Sequence, residues 1–159
     1  MKNGFLKVAA ATPVVRVADT KANLEAHIAL ALKAYGEGVR VLVFPELSLT
    51  GATCGDLFLQ DTLLQGAKDA LAAYLDATKE LDMVSVVGLP YAAHAKIYNT
   101  SAVCHAGKLL GLVTKRRVNE DVFAAVGRKR RVTADQFQQI MHFIAGADGI
   151  ESGVFRNTG

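Results

Sequence analysis

Hydrophobic positions along this chain recur with two different periods, and the switching between them predicts a βαβαβ order closed by a hairpin. Residues 5–11 form a short apolar run that reads as a buried strand, ended at Thr12-Pro13 because proline cannot donate to a ladder. Asp19 or Thr20 suits the cap of a helix running to about Tyr35, with Leu24, Ile28 and Ala31-Leu32 as its inward face and Gly36 and Gly38 beyond its end. Arg40 to Phe44 is an unbroken apolar run after its arginine, the pattern of a strand covered on both faces, and Pro45 ends it. A second helix is predicted over Asp61 to Lys79, with Leu63, Leu64, Ala67, Leu71 and Leu75 on one side. Met83 to Gly88 gives a third strand, and residues 97–104 alternate as a fourth. His105-Ala106-Gly107-Lys108 then turns the chain into a fifth, Leu109 to Val113. Helices alternating with strands in this way predict an α/β sheet with helices packed on it.

Past Lys115 the pattern changes. Residues 116–131 are basic and weakly periodic. Thr133-Ala134-Asp135-Gln136 resembles a capping box and opens an amphipathic helix from Phe137 to Ala145, stopped at Gly146. The polar, glycine-containing residues 151–159 read as a frayed end.

Composition adds limits. At 159 residues, 51% hydrophobic and 21% charged, the chain is a globular polymer long enough to bury its own core. A net charge of +3 does not by itself call for nucleic acid. Arg128-Lys129-Arg130-Arg131 is the one cluster able to neutralise several phosphates; without interleaved aromatic residues it reads as a solvated loop. No signal-peptide pattern and no apolar run of membrane-spanning length is present, so the expectation is a cytoplasmic protein without a membrane partner. Cys54 and Cys104 have neither disulfide-framework nor zinc-ligand spacing, and His27, His94, His105 and His142 read as surface or helix-packing residues.

Candidate chemistry concentrates at Val43-Phe44-Pro45-Glu46-Leu47-Ser48-Leu49-Thr50-Gly51. A carboxylate directly after a buried strand stands at the carboxyl end of the sheet, where open α/β folds form their crevices, and desolvation there favours a general base working near neutrality. A glutamate at this place can equally cap the turn that follows.

Phe-Pro-Glu-Leu followed by Thr-Gly resembles the glutamate signature of the nitrilase, or carbon–nitrogen hydrolase, superfamily. Gly88-Leu89-Pro90, Tyr98-Asn99-Thr100-Ser101-Ala102 and Gly107-Lys108-Leu109-Leu110-Gly111 resemble the strands leading to that family's lysine, here Lys115. The further run Thr53-Cys54-Gly55-Asp56-Leu57-Phe58 is similar to the amidase domains of glutamine-dependent NAD synthetases. The resemblance covers about residues 1–115. It implies a nitrilase-like α-β-β-α sandwich, of which residues 1–115 supply the N-terminal half, and leaves residues 116–159 unassigned. It also implies glutamine as a small-molecule amide substrate, no cofactor for the amidase chemistry, an ATP-dependent synthetase domain outside this chain as partner, and a homo-oligomer that covers the open sheet face.

The implied mechanism uses a cysteine thioester, with Glu46 as base and Lys115 as the cation beside the oxyanion. The family's cysteine lies well beyond the lysine, and residues 116–159 hold none. Cys104, mid-strand, suits a small core hydrophobe, and Cys54 belongs to the subgroup string. Three departures accompany this: Ala52 stands where the family has tyrosine, Thr114 where proline precedes the lysine, and residues 116–121 do not align, with Glu120 the candidate for a second carboxylate. Two functions are therefore expected in competition: a glutaminase supplying ammonia for NAD synthesis, or a truncated nitrilase module that turns nothing over and serves folding or interaction. On residue pattern alone Lys115 is the first of three basic residues on a solvated edge.

Overall fold

A computed structural model describes residues 6–93 and 95–115. The basic segment, Glu120, Arg128 to Arg131 and the expected helix Phe137 to Ala145 all fall in residues 116–159, outside the described residues, and His94 and His142 lie outside them too.

Five strands form one mixed sheet in chain order: β1 (Val8–Ala10), β2 (Val41–Val43), β3 (Val84–Ala93), β4 (Lys96–His105) and β5 (Lys108–Thr114). The first three are parallel, joined through α1 (Thr20–Gly36) and α2 (Asp61–Ala77), and the last three are antiparallel neighbours joined by tight turns. A helix is what a parallel connection needs, and a two-residue turn is enough for an antiparallel one. The hairpin into β5 has Ala106 at φ 45° and Gly107 at φ 75°, both left-handed, as a turn matching the strand twist requires.

Leu42, Phe44, Val87, Leu89, Ala102 and Cys104 on the sheet, Ala31 on α1 and Ala67, Ala70, Leu71 and Tyr74 on α2 make one buried core. The sheet residues among them fall on one face, so both helices pack on that face. By alternation Val41, Val43, Val86, Gly88, Asn99, Ser101 and Val103 belong to the other. The mixed α/β layer expected from the pattern is present.

Three local expectations need correction. β3 extends to Ala93 rather than stopping at Gly88. Its pairing with β2 ends at Val86, so Pro90 sits where one side of the strand has no ladder to serve. On α1, Ala31 is buried and Leu24 and Ile28 pack against the core as expected, but Leu32 is 50% exposed and the polar Asn23 and His27 are fully buried. A 3-10 helix at Gly55–Leu59, absent from the predicted elements, precedes α2.

Candidate active site

The site begins where β2 runs out. Phe44 makes the last ladder bond, its N–H donating to the Val86 carbonyl at 2.9 Å, and Pro45 has no N–H to continue. The chain folds into a turn through Glu46 to Thr50. Leu47 takes φ 52° and Gly51 φ 90°, and the Gly51 N–H closes onto the Leu47 carbonyl at 2.7 Å. A left-handed leucine costs about 1–2 kcal/mol, so the surroundings must impose it. They do: the Leu49 N–H donates to the Gly88 carbonyl at 3.1 Å, and Leu47 and Leu49 are buried.

A buried asparagine fastens the turn from below. The Asn23 Oδ1 accepts from the Arg16 N–H at 2.7 Å, and its Nδ2 donates to the carbonyls of Arg16 at 2.8 Å and Leu49 at 3.0 Å. The donor at Arg16 N fixes which way the amide points. One fully buried side chain thus ties the segment after β1 to the segment after β2. Asn23 lies within the helix expected from the pattern, and a hydrophobic count carries no signal for its clamp, since a polar residue adds nothing to it.

Lys115 arrives from the far edge. Its N–H donates to the Asn99 carbonyl at 2.8 Å, which extends the β4–β5 ladder by one residue past Thr114. Its Nζ lies 2.5 Å from Glu46 Oε1, across 69 residues of sequence. The Asn99 side-chain amide donates to the same carboxylate oxygen. Glu46 from the turn after β2, Asn99 from β4 and Lys115 from just past the end of β5 therefore converge. Asn99 belongs to the Tyr98-Asn99-Thr100-Ser101-Ala102 string, and the strand register sets it beside both partners.

The pair is open to solvent: the Glu46 side chain is 44% exposed and that of Lys115 39%. The desolvated carboxylate expected from the sequence is not found among the described residues. What they do show is a carboxylate with one oxygen occupied by an ammonium and an amide, leaving Oε2 free of described partners.

Neither cysteine joins this group. The Cys54 thiol, just before the 3-10 helix, donates to the carbonyls of Thr50 at 3.1 Å and Gly51 at 3.4 Å, and burial pushes it up from the ordinary thiol range. Cys104 lies in the core on the helix side of β4, where burial pushes it up to about 12. A protonated thiol is a poor nucleophile. His105 pairs with Asp82 at 3.2 Å, and among the described residues no cluster of three or more His, Cys, Asp or Glu is set to hold a metal ion.

Comparison with known proteins adds the following. The family model for carbon–nitrogen hydrolases matches residues 7–153, a span that continues past Lys115. The glutamine-dependent NAD+ synthetase of Mycobacterium tuberculosis is 39% identical over 114 residues, which is 72% of this chain and 17% of that protein. The chain thus spans about a sixth of the length of this curated relative. Among solved structures, the glutamine-dependent NAD+ synthetase of Cytophaga hutchinsonii superposes with a TM-score of 0.67 at 23% identity, covering 73% of this chain and 20% of that one. An amidase from Nesterenkonia sp. superposes with a TM-score of 0.60 at 19% identity, covering 76% and 46%. These two likenesses establish the fold, which is nitrilase-like.

Proposed function

The chain belongs to the carbon–nitrogen hydrolase family, and from that premise we propose that it carries the glutamate–lysine part of a glutaminase site that supplies ammonia for NAD synthesis. The observation behind the reading is the 2.5 Å contact between Glu46 and Lys115, residues that the sequence sets 69 positions apart. In this reading Glu46 accepts the proton of an attacking cysteine thiol and hands it to the departing amine. The thioester left behind is opened by water. Lys115 supplies positive charge where the carbonyl oxygen becomes negative, and Asn99 holds the carboxylate in place. The amidase chemistry calls for no cofactor.

We further assign residues 1–115 to the nitrilase-like part and treat 116–159 as a separate segment. The chain works in the cytoplasm as a homo-oligomer, with an ATP-dependent synthetase domain as the consumer of its ammonia. The similarity to NAD+ synthetases supports that partner.

A second reading has its own observation. Both cysteines are buried with raised thiols, and residues 116–159 contain none. A module in this state keeps the fold and binds substrate or partner without turnover. Ammonia release from L-glutamine by the full chain, with resonance shifts on glutamine addition as a parallel readout, separates the two. Release abolished by Glu46→Gln and by Lys115→Met supports the glutaminase. Release that survives Glu46→Gln overturns the base. Shifts at Glu46, Asn99 and Lys115 without release select the inactive module, and neither shifts nor release in a folded chain overturns glutamine as the ligand.

A further inference from the structure

Beneath the Glu46 turn lies a polar group that the chemistry above does not use. His27 is fully buried on α1, one helical turn after Asn23. Its Nδ1 is 2.6 Å from the Asn23 backbone carbonyl, and its Nε2 is 2.8 Å from Ser48 Oγ. A carbonyl oxygen only accepts, so the hydrogen sits on Nδ1. In a neutral ring Nε2 is then an acceptor, and the Ser48 hydroxyl donates to it. Burial holds His27 below its usual range, only partly offset by the Asn23 carbonyl, which keeps the ring neutral. The imidazole also packs on the Phe44 ring, with centroids 4.3 Å apart.

These contacts bracket one residue. Phe44 stands two positions before Glu46 and Ser48 two after it, and the Asn23 side chain takes Leu49 one step further on. A leucine at position 27 would fill the space but could not direct the Ser48 hydroxyl. We propose that His27, as the neutral Nδ1–H tautomer accepting from Ser48, is a positioning residue that aims the Glu46 carboxylate at Lys115. The inference rests on Glu46 being the base of the proposed reaction. It concerns a group that touches neither substrate nor the reacting atoms.

The test needs no substrate, so its failure is separate from failure of the glutaminase reading. The imidazole nitrogen spectrum of the full chain at neutral pH should show His27 protonated at Nδ1 and bare at Nε2. A ring protonated at Nε2, alone or together with Nδ1, overturns the proposal. Ser48→Ala should displace the Glu46 carboxyl carbon and Lys115 ammonium signals, and Ser48→Thr, which keeps the hydroxyl, should return them toward wild type. Unmoved signals in a folded Ser48→Ala protein, or a folded Ser48→Thr protein whose signals match an alanine-like displacement, also overturn it. Where Ser48→Ala does not fold, the wild-type tautomer and the threonine variant decide.

Discussion

The backbone of Gly88 lies so close to Pro45 that a methyl group on its Cα would stand 2.4 Å from the Pro45 carbonyl oxygen and 2.5 Å from the Leu47 nitrogen. Both atoms are backbone, on the two sides of Glu46, so neither can swing aside. The middle strand of the sheet thus sets the height of the Glu46 turn by having no side chain at one position. Gly88→Ala should cost about 1–3 kcal/mol in urea unfolding, the range of overpacking, and should also move the Glu46 turn. An alanine protein with wild-type stability and an unmoved Glu46 signal would refute this account of the contact.

The Glu46–Lys115 pair has a different energetic character. With both side chains more than a third exposed, water screens the attraction, and such pairs contribute about 0.2–1 kcal/mol. Lys115→Met should therefore leave the unfolding midpoint nearly unchanged while removing whatever glutamine chemistry or binding the site supports. Asn99→Asp should be worse for the site than Asn99→Ala, because it replaces a donor by a second negative charge against Glu46. A loss well above 1 kcal/mol in the Lys115 variant would mean that the pair is structural after all.

How much of this was legible in the sequence follows from which signals a hydrophobic count contains. The strand before Glu46 and the α2 face were readable because apolar residues carry them: Leu63, Leu64, Ala67 and Leu71 are all buried as their spacing implies. On α1 the same count finds Leu24, Ile28 and Ala31 but places the exposed Leu32 inward and passes over the buried polar pair Asn23 and His27. The burial of Asn23 and His27 is accounted for only by tertiary partners, the carbonyls of Arg16, Leu49 and Asn23 and the Ser48 hydroxyl. The approach of Lys115 to Glu46 was available only through family likeness, since it depends on the β3–β4–β5 register, which no local period encodes. The openness of the pair was not legible at all, because exposure is set by tertiary neighbours.

The β4–β5 turn gives a prediction of opposite sign to the first. Ala106 pays for a left-handed φ of 45° that glycine would adopt freely, whereas Gly107, at φ 75°, has a neighbour: a Cβ there would meet the Lys79 Cβ at 2.7 Å. Ala106→Gly should be neutral or stabilising by up to about 1 kcal/mol, the left-handed strain being set against the added freedom of the unfolded chain. Gly107→Ala should destabilise. Thermal unfolding of the two variants checks the asymmetry, and equal losses from both would show that the turn does not hold these angles.

The two thiols make the last prediction, and its sign can be worked out. Cys104 is raised by burial to about 12 from 9.0, and Cys54 is raised by burial with a partial offset from the Ala18 backbone. Between pH 9 and 12 the folded chain therefore keeps the Cys104 proton that the unfolded chain gives up. The folded state then binds more protons, so stability falls as pH rises through that window, by at most about 1.4 kcal/mol per pH unit for this one group. Tyr74, also raised by burial, adds a fall of the same sign starting from 10.0. Urea midpoints measured from pH 8 to 11 should decline more steeply in wild type than in Cys104→Ala, and the comparison of slopes removes the constant cost of the smaller side chain. In the native protein at pH 8 neither thiol should react with an alkylating reagent at the rate of a free cysteine, and both should do so in denaturant. Fast native alkylation confined to Cys54, abolished by Glu46→Gln, would contradict the burial argument and make Cys54 the nucleophile that this site otherwise lacks among its described residues.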